Sequence, residues 1–323
     1  MNKFVFFGGK GGVGKTTVSS AYGLKCARDG LETLLVSTDP AHSTSDVFDQ
    51  QFDDDPEPVE GHENLFAMEL DPEEEVQRHM TDIKSTMSDQ VSPAIVNEID
   101  RQIELAHRTP GAYEAALFDR FIDVMRSSEE YDRVVFDTSP TGGTLRLLAL
   151  PEFLESWIER LTAKRTESVD LFEKAAIGDK EARQKLAEDP IIRRLTERKK
   201  LFEFAGETLR EQSAFYLVLN PDELSIEESH RAVADLTEAG LTVGGLVVNK
   251  VAPEPDEGET GTGATYLRER YRTEQDRLAR IREEFDQPVV AVIEQRVSEI
   301  KGDLLSEVTA ELGIETAASP PQA

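Results

Sequence analysis

Gly9-Lys10-Gly11-Gly12-Val13-Gly14-Lys15-Thr16-Thr17 follows an apolar run, residues 4–7 (Phe-Val-Phe-Phe), and precedes a helical pattern over residues 18–27. A strand, a glycine loop and a helix in that order are what a phosphate-binding loop requires. Glycines let successive backbone N–H groups turn inward around a polyphosphate, and the helix N-terminus adds its partial positive charge. The phosphate-binding residues are therefore Gly11, Gly12, Val13, Gly14, Lys15, Thr16 and Thr17. In such a loop Lys15 reaches the β- and γ-phosphates and Thr16 places its hydroxyl on Mg²⁺. At average residue usage the bare pattern arises by chance in about one in a hundred chains of this length. Lys10 stands where a generic loop of this kind has no required charge.

Outward from the loop, short apolar runs recur at residues 4–7, 33–36, 65–68, 134–136, 215–219, 243–248 and 289–293. Helical patterns separate most of them, which predicts an α/β fold with a doubly wound, mostly parallel sheet. Two connections are too long for simple crossovers. Residues 72–128 carry Val76, Met80, Ile83, Met87, Val91, Ile95, Ile99 and Ile103 at helical spacing, interrupted at Pro93, and then a second helix with Leu117, Phe121, Ile122 and Met125. Residues 151–212 begin with Phe153, Leu154, Trp157, Ile158 and Leu161, and end with Leu201, Phe202, Phe204, Ala205 and Leu209. The two insertions read as one helical subdomain on a single domain spanning residues 1–323, with residues 317–323 a disordered tail. Methionine suits a groove that accepts varied apolar helices, and Met80, Met87 and Met125 lie in the first insertion; stripes at helical spacing are more often core.

The chain has 323 residues and a formal charge of −28, with 64 acidic against 36 basic residues. Such a surface repels nucleic-acid phosphates and anionic headgroups and fits a protein kept soluble in concentrated salt. One cysteine, Cys26, excludes an intrachain disulfide and a multi-cysteine metal site within one chain. A first strand starting within a few residues of Met1 leads us to expect no N-terminal signal, and no apolar run approaches the roughly 20 residues that span a bilayer. The expected compartment is the cytoplasm.

Val134-Val135-Phe136-Asp137 is an apolar strand ending in a carboxylate, as in P-loop enzymes whose Asp holds Mg²⁺ through water. The small-residue stretch at 138–144 that follows suits a loop sensing the γ-phosphate. Asp39, in Ser37-Thr38-Asp39-Pro40-Ala41-His42-Ser43, stands at a strand's C-terminal edge, where it can orient water for in-line attack or cap a turn. Asn249 ends another apolar strand; it can match donor and acceptor on an adenine edge or serve as a turn residue.

With these segments in place the chain resembles the ArsA/Get family of ATPases, in the signature-lysine class of P-loop proteins. The matching segments are residues 9–17, 37–43, 68–72, 136–146, 220–229, 247–249 and 299–302, in family order over nearly the whole chain. The resemblance implies a Mg²⁺-dependent ATP hydrolase working as a homodimer with two ATPs at the interface. It makes Lys10 the lysine that reaches the partner subunit's nucleotide, Asp39 the water-activating residue and Asp137 the Mg²⁺-associated carboxylate. It makes Asn249 an adenine reader and puts Asp222 near the partner's nucleotide. Targeting members of the family hold the transmembrane helix of a tail-anchored protein in a groove of the helical subdomains. Members with an interfacial zinc carry a Cys-x-x-Cys pair, whereas here Ala264-Thr265-Tyr266-Leu267 stands in that region, so no zinc is expected. Gly143 also stands where the family usually has His.

Three functions follow from the resemblance. The first is a dimeric ATPase coupling its nucleotide cycle to capture and delivery of tail-anchored membrane proteins, its partner being a hydrophobic client segment or a membrane-bound protein. The second is the motor subunit of an arsenite or anion efflux pump, which the lack of soft cysteine ligands disfavours. The third is a partitioning or cell-division switch; these need a basic DNA-binding or membrane-binding surface, and residues 303–313 are acidic.

Overall fold

The computed structural model describes residues 2–38, 43–70, 112–138, 159–160, 163, 190–256, 258 and 260–316. In chain order its elements are β1 (Phe4–Gly8), α1 (Lys15–Arg28), β2 (Thr33–Ser37), α2 (Ser43–Phe48), β3 (Glu57–Pro58), β4 (Leu65–Glu69), α3 (Ala112–Ser127) and β5 (Arg133–Asp137). They continue with α4 (Pro190–Glu211), β6 (Ser213–Leu219), α5 (Glu223–Glu238), β7 (Val243–Val251), α6 (Thr262–Glu284), β8 (Val289–Glu294) and α7 (Asp303–Glu311). The strands form one sheet in the order β3-β4-β2-β5-β1-β6-β7-β8. Every pairing is parallel except the two-residue edge strand β3 on β4. All seven strands expected from the apolar runs are present. β3 is an addition, too short to show any periodicity.

β1 lies between β5 and β6, covered on both faces, which is why its sequence is continuously apolar instead of alternating. Successive side chains of a strand point to opposite faces, so Phe4 and Phe6 enter one core layer and Val5 and Phe7 the other. On the first face Phe6 stacks between Phe136 and Phe215 with centroids 4.5 and 4.7 Å away, and Phe121 of α3 meets it edge-on at 6.4 Å. Helices α3, α4, α5 and α6 cover this layer through Ile122, Leu209, Ile226 and Ile281 among others. The opposite layer is closed by α1, by Val47 of α2, and by Leu305 and Val308 of α7.

The described parts of the two long connections, α3 and α4, lie directly on the sheet. Leu117, Phe121, Ile122 and Met125 of α3 and Phe202, Ala205 and Leu209 of α4 are all buried there. Met125 is thus a core residue and not part of an apolar groove. The stripe from Val76 to Ile103, the apolar face of Phe153, Leu154, Trp157, Ile158 and Leu161, and the tail at 317–323 lie outside the described residues. Among the described residues no helix is long and apolar enough to cross a membrane.

At the N-terminal edge of the sheet Arg133 is buried. Its guanidinium donates to the Asn2 carbonyl at 2.7 Å, the Tyr22 hydroxyl at 3.2 Å and the Thr316 carbonyl at 2.9 Å. Cys26, on the same helix as Tyr22, is fully buried, and burial pushes its thiol up to about 11, so it packs and is not a reactive ligand.

Two outcomes follow. Phe6→Ala is expected to cost about 4 kcal/mol in urea unfolding, since it empties the centre of an aromatic stack. The thermal midpoint is expected to rise as KCl goes from about 0.2 to about 2 M, because screening relieves the self-repulsion of a −28 chain. A midpoint unchanged or falling over that range would contradict the salt-adapted reading.

Candidate nucleotide site

The glycine loop leaves β1 at the C-terminal edge of the sheet, where α/β folds bind ligands. β6 lies between β1 and β7, so the loop must pass β6 closely to reach the far side. Gly9 permits this: its φ is +144°, and a Cβ there would stand 2.2 Å from the Val218 carbonyl oxygen of β6. At the far end Gly14 takes a left-handed conformation, φ +93°, at the N-cap of α1, and a Cβ would stand 2.3 Å from Asn249 Nδ2. Val13 between them is buried against the core.

The N-cap of α1 is Gly14, which has no side chain to cap the helix, and the positive end of the helix dipole points to this edge of the sheet. Lys15 is only 5% exposed, and its Nζ donates to the Lys10 carbonyl at 3.3 Å. The Val13 N–H reaches the same oxygen at 3.4 Å. Both contacts are long, and a phosphate oxygen is a stronger acceptor than a carbonyl. Thr16 and Thr17 occupy the first turn of the helix and are partly buried.

β7 grips the loop from the other side. Asn249, 3% exposed, donates from Nδ2 to the Val13 carbonyl at 2.7 Å and accepts from the Lys250 N–H at 2.9 Å. Lys250 donates from Nζ to the Gly12 carbonyl at 2.6 Å. An amide has two N–H bonds and two oxygen lone pairs, so Asn249 retains one of each beyond these contacts.

Between the loop and the end of β8 lies a cavity of about 420 Å³, within the roughly 300–1,000 Å³ of ligand sites. Gly12, Gly14, Lys15, Thr16 and Thr17 form one wall, Val47 of α2 and Asn249 and Lys250 of β7 continue it, and Glu294, Gln295, Arg296, Ser298 and Ile300 form the other. Of this second wall the sequence reading reached only Ile300, in the family segment 299–302; Glu294, Gln295, Arg296 and Ser298 belong to no motif. The available signal was the apolar run 289–293, whose C-terminal end must open on the same edge as the glycine loop. Hydrogen bonds fix this wall: Gln295 N–H to the Val251 carbonyl at 2.8 Å, Arg270 to Gln295 Oε1 at 2.6 Å, and Arg296 to Glu311.

On the β2 side, Asp137 ends β5 fully buried, in register with Phe7 and Ser37. The Thr38 N–H and hydroxyl both donate to the Asp137 carbonyl, at 3.0 and 3.2 Å, and Thr138 Oγ1 donates to the Phe7 carbonyl at 2.8 Å. These bonds hold the ends of β1, β2 and β5 in line. A threonine hydroxyl and a carboxylate are hard oxygen donors, so Thr16 and Asp137 fit Mg²⁺ by chemistry. Asp39 and His42 lie outside the described residues, as does Gly143.

The chain on either side of 39–42 is fixed. Glu69, 4% exposed, accepts from the Thr44 and Ser45 N–H groups at 2.9 Å each and from Ser45 Oγ at 2.8 Å, and so caps α2. Asp222 is the N-cap of α5, with Oδ1 accepting from the Ser225 N–H at 2.9 Å. Residues 264–267 lie in the first turns of α6, with Tyr266 well exposed. Glu69→Ala is expected to lower stability by about 3 kcal/mol in urea unfolding, because it strips a buried acceptor from two amides, while Glu69→Gln keeps part of the cap and costs less. Equal stability of Glu69→Ala and the unsubstituted chain would remove Glu69 as the anchor of α2.

Comparison with known proteins places this site in a lineage. Residues 2–312 match the anion-transporting ATPase family, ArsA type. The chain is 34% identical over 255 residues to a putative arsenical pump-driving ATPase 2 of Aquifex aeolicus, covering 79% of this chain and 82% of that protein. It is 34% identical over 309 residues to a putative arsenical pump-driving ATPase of Halobacterium salinarum, covering 95% of this chain but 43% of that longer protein. It is also 35% identical over 271 residues to the ATPase GET3C of Arabidopsis thaliana, covering 79% and 68%. With the family pattern running almost end to end, the chain belongs to the ArsA-type family of anion-transporting ATPases.

Proposed function

We propose that this protein is a dimeric, Mg²⁺-dependent ATPase of the cytoplasm whose nucleotide cycle gates the capture and release of tail-anchored membrane proteins. The observation that carries the ATPase part is the cavity joining the glycine loop and the first turn of α1 to the ends of β7 and β8. In this reading the amides of residues 11–17 and the Lys15 ammonium bind the β- and γ-phosphates. Asn249 and the wall at 294–300 take the adenine. Thr16 and Asp137 would hold Mg²⁺, which would neutralise charge on the phosphates. Asp39 orients the attacking water, and Lys10 and Asp222 serve the partner subunit's nucleotide.

Targeting is preferred to metalloid efflux because of Cys26. A soft metalloid site needs several thiolates, and the single thiol of this chain is buried and held protonated. The residues at 72–128 and 151–212 then form the helical subdomain that carries the client, with α3 and α4 as its base on the sheet.

Lys15→Ala is expected to lower ATP turnover at least about a hundredfold, as loss of a phosphate-binding charge does. Lys10→Ala should lose turnover while keeping nucleotide affinity within a few-fold. Mixing Lys10→Ala with Asp39→Asn subunits should restore one working site per mixed dimer, and no recovery at any mixing ratio would contradict the trans role of Lys10. For the cargo, the protein should hold a C-terminal hydrophobic segment in solution and release it to membranes with ATP. Turnover stimulated by arsenite, with no such client bound, would favour the pump reading instead.

A further inference from the structure

We propose that Lys250 is a positioning residue of the phosphate site, clamping the Gly12 carbonyl outward so that the loop keeps its amides turned toward the polyphosphate. The proposal rests on the ATPase reading and adds to it a residue that no phosphate-loop pattern contains.

A peptide unit is planar, so the carbonyl of residue 12 and the N–H of residue 13 point in opposite directions from one rigid plate. The same holds for the carbonyl of residue 13 and the N–H of Gly14. Lys250 Nζ holds the first carbonyl at 2.6 Å and Asn249 Nδ2 holds the second at 2.7 Å. Two adjacent side chains of β7 therefore fix two successive plates of the loop, and with them the direction of the Val13 and Gly14 amides. Glycines give the loop freedom to take this shape but nothing to keep it there. The clamp supplies the missing restraint before the ligand arrives.

Two details show that the side chain is what this position requires. Lys250 has φ +59°, a left-handed conformation that glycine adopts freely and a lysine only at a cost. A position serving only to turn the chain would be better filled by glycine. The charge is also used unusually. In a chain with 64 carboxylates, no described carboxylate pairs with this ammonium, which donates instead to a neutral backbone oxygen on the cavity wall.

The test compares the full-length protein with Lys250→Gly, measuring equilibrium binding of Mg-ATP and of Mg-tripolyphosphate in about 2 M KCl. At that salt concentration charges more than about 3 Å apart are screened, so loss of a distant attraction is not read as loss of the clamp. Lys250→Gly should keep or raise the thermal midpoint, since it relieves a left-handed residue, yet weaken both ligands about tenfold, the size of one charge-assisted hydrogen bond. In turnover, KM should rise more than kcat falls. Weakening of ATP alone, with tripolyphosphate unaffected, would assign Lys250 to the base and overturn the clamp. Unchanged binding of both ligands would overturn it as well. If the unsubstituted protein bound neither ligand, the ATPase reading itself would fall, a result distinct from either of these.

Discussion

The hydrogen bond from Asn249 Nδ2 to the Val13 carbonyl is the constraint on which the site depends. It spans two strand positions, from the loop after β1 to the end of β7, with β6 between them. Side chains at positions 9 or 14 would destroy it, one by striking the β6 backbone and the other by occupying the place of the Asn249 amide. The loop is thus shaped less by its own sequence than by what it must pass and what it must reach. Once its path is set, α1 starts at the sheet edge, and the next strand outward, β8, delivers the opposite wall of the cavity.

The rigidity beneath the site comes from hydrophobic burial on both faces of β1. Phe6 stacked between Phe136 and Phe215 fixes the spacing of β5, β1 and β6, and the strand ends that carry Asp137, Gly8 and Leu219 inherit that spacing. The Thr38 N–H and hydroxyl, both donating to the Asp137 carbonyl, and the Thr138 hydroxyl, donating to the Phe7 carbonyl, then register the polar ends to one another. Phosphoryl transfer asks mainly for positioning and charge neutralisation, so a stiff platform with donors projecting from one edge suits it.

Much of this was legible in the chain. Strands buried on both faces write continuous apolar runs, which is why residues 4–7 and 134–136 announced themselves, and the glycine loop carries its chemistry in its spacing. Asn249 was legible as a candidate, and the structure places it on the cavity wall. Its grip on the loop was not, because that depends on β7 standing two places from β1, a fact of sheet order. The wall at 294–300 escaped for the same reason: Gln295 and Arg296 belong to the cavity only because β8 is beside β7. Glu69 escaped because a buried carboxylate that caps a distant helix has no local pattern. Asp222 shows the converse: the sequence analysis gave it only the role the resemblance implies, and the structure shows it capping α5.

The most direct measurement of the central claim is a crystal structure with Mg²⁺ and a non-hydrolysable ATP analogue. The account predicts phosphates against the amides of residues 11–17. The Asn249–Val13 and Lys250–Gly12 bonds should be intact, with the base between Asn249 and the wall at 294–300. A nucleotide bound elsewhere, or one whose binding breaks both bonds from β7, would contradict it.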